Sequence, residues 1–451
     1  MYVLEEQMFR KMYQSNNPEL KLTQKQKEVY NYMCSGESIF ITGLAGSGKT
    51  FTTKLFIKNY SPLRVMAITS TTGTSALLIN GTTIHSYLGI GYGKCSEEVL
   101  TNKILNSSWL KKRWIMLETL VIDEISMMDP KLFDKLESIA RTIRRNDKPF
   151  GGIQLILSGD FLQLPCVGTD KFCFEAQSWS KCVKYTIYFD EVIRQSNVSF
   201  QSILNNVRVG EITEEVRKVL DSRIGVRLTN DFGIKPTRLY SLNCDVDRIN
   251  DIELDNLAGD NIQFYEYEMD IVVYPNVNNK ASVIEKFKKN CTAPEKLQIC
   301  IGTQVMLLKN LDLPKGLANG SRGVVIEFIN EKPVVKFLNG EERFIDWEVW
   351  EIEENDKKIL SAKQIPLRVA YAISIHKVQG SSIDYAEIDL STIFEYGQAY
   401  VALSRVKTLE GLSIICIDYN HIKAQPKAVA FYQELKSKGI LYSNIHDERT
   451  S

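Results

Sequence analysis

Short, mostly apolar runs alternate with longer amphipathic stretches over the first 190 residues. Ser38–Thr42 (SIFIT), Val65–Ser70 (VMAITS), Thr119–Asp123 (TLVID) and Gln154–Ser158 (QLILS) each end on a polar residue. Runs of this length and composition predict parallel strands buried on both faces, with the intervening helices covering the sheet. Ligands of such sheets gather at the carboxyl ends of the strands, where these polar residues stand. Between the second and third runs, residues 80–106 are richer in Gly, Ser and Thr, which predicts an insertion or small subdomain.

A second α/β pattern begins after residue 190. Thr237–Ser241 (TRLYS) predicts a strand and Asp245–Leu257 a helix. From 285 to 365 the pattern changes to short alternating strands such as Gln304–Leu308, Gly323–Ile326 and Val334–Phe337, broken by Asn319-Gly320 and Asn339-Gly340. Asn-Gly pairs mark tight turns between antiparallel strands, so this stretch predicts a small inserted β-barrel. The α/β pattern returns at 366, with a strand at Ala386–Leu390 and a helix around Gly397–Arg405. The expected organisation is a first α/β domain over 1–190, a second over 191–284 and 366–451, and the barrel over 285–365.

Composition narrows the class without fixing it. The 451 residues need two or three cores, and 44% hydrophobic with 24% charged residues is the balance of a soluble globular chain. No stretch reaches the ~20 apolar residues of a membrane span, and the amino-terminal MYVLEEQMFRKMYQSNNPE lacks an apolar signal core. An intracellular protein is expected, acting wherever its substrate is held. The nine cysteines form no CxxC pair and only four histidines are present, so free thiols are expected and zinc sites are not. Lys+Arg and Asp+Glu balance at 55 each, leaving only local basic runs such as Lys111–Arg113 or Lys286–Lys289 for an anionic partner.

The chemistry sits after the predicted strands. Gly43-Leu44-Ala45-Gly46-Ser47-Gly48-Lys49-Thr50 matches GxxxxGK[ST] between a strand and a helix, the context in which backbone N–H groups curl around phosphate oxygens. Lys49 would neutralise the β- and γ-phosphates of ATP and Thr50 would hold Mg²⁺. Asp123-Glu124 ends the third strand, where Asp123 suits a Mg²⁺ contact and Glu124 suits orienting and deprotonating the attacking water. After the fourth strand, Gln163 in Ser158-Gly159-Asp160-Phe161-Leu162-Gln163-Leu164-Pro165 could touch both the γ-phosphate and that water.

The order of these motifs resembles the Pif helicases (petite integration frequency), the 5′-to-3′ branch of helicase superfamily one. The likeness runs from about residue 20 to 415. It includes residues 132–167, ITSTTGTSALLINGTTIHSYLGIG (68–91), IRQSNVSF (193–200), TRLYSLNCDVDRIN (237–250), IGTQVMLLKNL (301–311), LANGSRGVV (317–325), IPLRVAYAISIHKVQGSSID (365–384) and AYVALSRVKTLEGL (399–412). The resemblance implies two RecA-like parallel-sheet P-loop domains, a wedge at about 80–106 and an SH3-like barrel. It implies that Gln26 in LTQKQ reads adenine, that Arg194 and Arg405 reach the γ-phosphate, and that Gln379-Gly380 couples the ATP cleft to the strand. Thr71, Thr72, His85, Ser86, Asn243, Ser374, His376 and Lys377 are implied contacts to single-stranded DNA. Cys166, Val378 and Asn197 depart from the family pattern without removing a phosphate, metal or base contact.

The expectation is therefore an ATP- and Mg²⁺-dependent DNA helicase. It would act as a monomer on single-stranded, forked or structured DNA (R-loops and G-quadruplexes included) in replication, repair, recombination or telomere maintenance. An RNA helicase, a RecD-like subunit and a catalytically silent nucleic-acid scaffold remain open, as do replication partners and compartment.

Overall fold

In the computed structural model the described residues run from 22 to 443, apart from 92, 167, 193–197, 230–233, 259–261, 276–279, 313–314, 318, 355–356 and 438–440. Helix α1 (Gln24–Cys34) starts at Thr23, whose hydroxyl accepts the Gln26 N–H while the Gln26 side chain accepts the Thr23 N–H, a capping box that fixes the helix start. β1 (Ile39–Gly43) leads into α2 (Lys49–Tyr60), and β2 (Met66–Ser70) into the short α3 (Gly73–Leu78) and β3 (Thr82–Thr83). β4 (Thr119–Asp123), α4 (Pro130–Arg144), β5 (Gln154–Ser158) and β6 (Tyr185–Phe189) complete the unit. Asp129 caps α4 and Pro130 takes its first turn, where a missing N–H costs nothing. The strands lie in the order β6-β1-β5-β4-β2-β3, all parallel. β1, β4 and β5 are buried at every position, which is why they read as unbroken apolar runs.

A second parallel sheet is built after residue 197. Helix α5 (Val198–Val209) precedes β7 (Thr237–Tyr240), which is followed by α6 (Asn243–Leu257). The chain then makes an antiparallel module: β8 (Tyr265–Glu268), β9 (Asp270–Val273), β10 (Lys296–Ile299), β11 (Gln304–Leu307), β12 (Arg322–Ile329), β13 (Lys332–Phe337), β14 (Glu342–Phe344), β15 (Glu348–Glu354), β16 (Lys357–Gln364) and β17 (Leu367–Val369). Five strands pair as β14-β13-β12-β11-β17, three as β15-β16-β9, and β8 pairs with β10. One core holds Tyr267, Val305, Val325, Phe337 and Leu367. Residues 265–273 thus hydrogen-bond into this module rather than into the second parallel sheet, so the antiparallel structure starts some way before residue 285.

Only Ala370 and Tyr371 separate β17 from β18 (Ala372–Ser374), and the chain passes straight back to the parallel sheet. With β19 (Ala386–Leu390) and β20 (Leu412–Ile417) it forms the order β18-β7-β19-β20, and α7 (Gln398–Leu403) lies between the last two. The joint with the module is polar and buried. Gln304 Nε2 donates to the carbonyls of Lys235 (2.9 Å) and Ala370 (3.1 Å), and Arg322 Nη1 to Thr237 Oγ1 (2.6 Å) and the Tyr385 carbonyl (3.1 Å).

The carboxyl-terminal stretch departs from the expected organisation. Helix α8 (Pro426–Ser437) does not pack on the second sheet; Ala428, Tyr432 and Leu435 lie in the core of the first domain with Phe40, Phe161 and Trp179. β21 (Leu441–Ser443) then pairs antiparallel with β6. The residues after 425, expected within 366–451 of the second domain, complete the first one. Asn310 Nδ2 of the module donates to Asn80 Oδ1, at the start of the 80–106 insertion, at 3.4 Å.

Candidate active site and strand track

The loop after β1 is shaped for phosphate. Gly43, Gly46 and Gly48 have φ of 132°, 79° and 89°, a region that side chains disfavour, and a Cβ on Gly43 would collide with the Phe189 carbonyl. Gly48 caps α2, so the unpaired N–H groups and positive end of that helix face the loop. Lys49 Nζ lies back against the carbonyls of Gly43 and Leu44 at 2.9 Å each. Burial pushes its pKa down to about 8, against the pull of Asp160, Glu124 and Asp123.

The carboxyl end of β4 stands opposite. Asp123 Oδ2 accepts from Thr50 Oγ1 at 3.4 Å, and burial raises its carboxyl above the ordinary range. Glu124 has φ 53° and ψ 45°, a left-handed conformation rare for a residue with a Cβ and typical of strained functional positions. Burial first, then Asp123, pushes its pKa up to about 7, while Lys49, Arg405 and Gln379 pull it down. Gln379 comes from the second sheet, and its Nε2 donates to Glu124 Oε2 at 3.0 Å. Gln163 is buried, and its Oε1 has no hydrogen-bond partner among the described residues.

Hydrogen bonds and charge interactions thus link Lys49, Thr50, Asp123 and Glu124 of the first lobe to Gln379 and Arg405 of the second, while the Gln163 turn lies against Gly397. Arg405 follows α7, is 2% exposed, and donates to the Val401 carbonyl (3.0 Å) and Ser404 Oγ (2.8 Å). Gly380, at φ 80°, turns the chain after Gln379. Gln26 is buried against the phosphate loop, its Nε2 donating to the Ser47 carbonyl at 3.3 Å. Arg194 and Asn197 lie outside the described residues.

The other implied positions follow the carboxyl ends of four strands, β2, β3, β7 and β18. Thr71 Oγ1 donates to the Glu124 carbonyl (2.8 Å), and Thr72 Oγ1 bonds Ser75 Oγ (2.7 Å) at the start of α3. His85 is half-buried and its pKa is lowered by burial, whereas Ser86 is exposed. Asn243 and Lys377 are exposed, Ser374 is buried, and His376 Nε2 lies 3.0 Å from Glu395 Oε2.

Sequence reasoning missed a polar cluster behind the phosphate loop. Arg208 of α5 forms a two-pronged ion pair with Asp160: Nη2 to Oδ1 at 2.8 Å and Nε to Oδ2 at 3.0 Å, both side chains at most 4% exposed. Burial alone would raise the Asp160 carboxyl, but Arg208 outweighs it and holds the carboxyl below its ordinary range. Tyr432 Oη bonds Thr42 Oγ1 (2.6 Å) and accepts the Phe161 N–H (3.0 Å), while Tyr400 Oη accepts the Ala45 N–H (2.8 Å). One signal was available: Arg208 sits on the same helix face as Phe200, Ile203, Leu204 and Val207, a charge inside an apolar stripe.

A phosphate-shaped loop on one parallel sheet, with the neighbouring Glu124 carboxylate held by Gln379 from the segment after β18 of a second, defines a two-lobed P-loop NTPase. Comparison with known proteins places it further. The model of the PIF1-like helicases matches residues 21–218, and that of the DNA helicase Pif1 2B domain matches 283–328. ATP-dependent DNA helicase PIF1 of Xenopus laevis is 39% identical, covering 95% of this chain and 67% of its own length. Protein 030L of Invertebrate iridescent virus 6 is also 39% identical, over 96% of this chain and 97% of that one. The crystal structure of Pif1 helicase from Candida albicans has a TM-score of 0.80 at 34% identity, covering 92% of this chain and all of that one. The chain belongs to the PIF1-like helicases and is an ATP-dependent DNA helicase of that family.

Proposed function

We propose that the chain travels 5′-to-3′ on single-stranded DNA and separates duplexes at forks, R-loops or G-quadruplexes during replication, repair, recombination or telomere maintenance. It would act as a single copy, wherever the cell keeps its DNA. Direction and substrate preference rest on the family; the coupling of hydrolysis to movement rests on residues of this chain. The observation that carries the reading is the Gln379–Glu124 bond, which ties the water-activating carboxylate of one lobe to the other lobe.

Lys49 and the loop amides hold the β- and γ-phosphates, and Lys49 exchanges two carbonyl partners for phosphate oxygens as ATP enters. Thr50 and Asp123 fit Mg²⁺. Their oxygens are already adjacent, and phosphate and water would complete the ion's shell. Mg²⁺ when bound would neutralise charge on the phosphates. Glu124 accepts a proton from the attacking water, and the unpartnered Gln163 Oε1 is free to accept that water's other hydrogen. Arg405 and, on the family resemblance, Arg194 would meet the γ-phosphate. Contacts present only with that phosphate supply the differential affinity a conformational shift needs.

Closure and reopening would move the strand along the carboxyl ends of β2, β3, β7 and β18. Thr71, Thr72, His85, Ser86, Asn243, Ser374, His376 and Lys377 would hold its phosphates without reading sequence. Each base-pair step opposes this by about 1.4 kcal/mol of stacking. The 80–106 insertion would split the duplex. Duplexes with a 5′ or a 3′ single-stranded tail, supplied with ATP and Mg²⁺, test function and polarity together: only the 5′-tailed duplex should open. Lys49→Ala and Glu124→Gln should each lower DNA-stimulated hydrolysis by about 10²-fold or more. Wild-type rates in both variants would overturn the site.

A further inference from the structure

The proposed phosphate contacts leave unexplained what faces the bases of the strand. Phe394 is 60% exposed and Tyr396 is 43% exposed, in the loop between β19 and α7, although most proteins gain by burying a phenylalanine. Single exposed apolar residues are ordinary on mobile loops. This loop is pinned at every turn. Ile393 is buried beneath it, and Gln398, itself buried, accepts the N–H groups of Phe394 (3.1 Å) and Glu395 (3.3 Å). Ser241 Oγ, at the end of β7, bonds the Thr392 carbonyl (2.8 Å) and hydroxyl (2.6 Å). Glu395 meets His376, and the Phe394 and His376 rings lie 6.4 Å apart with their planes 31° from parallel.

We propose that Phe394 is a stacking platform for an unpaired nucleobase, with His376 beside it contacting the flanking phosphate. The inference rests on the DNA-motor reading above and adds a base contact to it. The ring is rigid, apolar and open, so a base can cover it without any side chain first being ordered. It stands among the carboxyl ends of β7, β18 and β19, with the His376 ring beside it. A flat face carries no donors or acceptors to match, so the contact tolerates any base, as a translocating protein requires. The same loop enters α7, whose far end leads to Arg405, so a base arriving at Phe394 touches the element that reaches the nucleotide.

Binding of a single-stranded oligonucleotide and of one carrying a run of abasic sites should be compared by fluorescence anisotropy. The wild-type chain should bind the strand with bases more tightly. Phe394→Ala should weaken that binding by roughly tenfold or more, in line with about 1–3 kcal/mol per stacked base, and should lose the preference over the abasic strand. Phe394→Trp should keep both, and its added fluorescence should be quenched by the single strand but not by blunt duplex. Because the ring is exposed, an unchanged melting temperature verifies that each variant is folded. Undiminished preference for bases in Phe394→Ala would overturn the inference and leave the motor reading intact. Failure of the wild-type chain to bind any single strand would instead overturn that reading.

Discussion

Asp160 and Arg208 face each other where water is excluded, and their energetics differ from those of a surface pair. Exposed ion pairs contribute ~0–1 kcal/mol, whereas removing one member of a buried pair leaves a charge stranded, at a cost of about 3–5 kcal/mol. Asp160→Asn should therefore destabilise the chain by about that amount in urea unfolding, and Asp160→Asn with Arg208→Met should recover part of the loss. Recovery separates a stranded charge from simple loss of packing. Because the folded carboxyl is held below its ordinary value, its stabilisation is present above about pH 4 and fades as pH falls through the folded pKa. The gap between wild type and Asp160→Asn should therefore be full at neutral pH and close on strong acidification. Lys49, Asp123, Glu124 and Gln163 were legible in the sequence because phosphate chemistry dictates residue types at fixed offsets from strand ends. For Arg208 only its place in an apolar stripe was legible; its pairing was not, because the partner Asp160 lies 48 residues away and nothing in either stretch names the other.

At the scale of elements, the contact between Gly397 and the Gln163 turn decides how α7 is seated. Gly397 caps α7 at φ 73°, and a Cβ there would lie 2.5 Å from the Leu162 carbonyl oxygen and 2.6 Å from that of Gln163. Both obstacles are backbone, so Gly397→Ala must push α7 away from the turn bearing Gln163. Ångström-scale misplacement can cost about 10²-fold in rate. The prediction is a kcat for DNA-stimulated hydrolysis lowered by roughly that factor, with single-strand affinity nearly unchanged; a normal kcat would mean that α7 seating does not limit turnover. The buried strands β1, β4 and β5 could be read from composition alone. The two-residue β3 and the onset of the antiparallel module at β8 could not. Tyr265–Glu268 and Asp270–Val273 are too short and too polar to announce which partner strand they will meet, and that choice is made by β10 and β16 far along the chain.

Over the whole molecule, the return of α8 to the first domain was the feature least open to sequence reasoning. An amphipathic helix declares that it has an apolar face, not which sheet will cover it. Here Tyr432 gives the answer through one oxygen shared between Thr42 Oγ1 and the Phe161 N–H. Tyr432→Phe keeps the ring and strands both partners, so it should cost about 1–3 kcal/mol. Tyr188→Phe, whose hydroxyl accepts a single bond among the described residues, from Arg208 at 3.2 Å, should cost less. Calorimetric melting of the two variants side by side tests the ranking.

Because the polypeptide leaves the first lobe once before α5 and re-enters it at α8, the second lobe hangs like a bucket on a handle with both ends fixed to the rim. Gly210, just after α5, and Ala424, just before α8, pack against each other. Such a mounting permits swinging and forbids drifting. Under the proposed mechanism, the distance swept per hydrolysed ATP would be set by the arc of that swing.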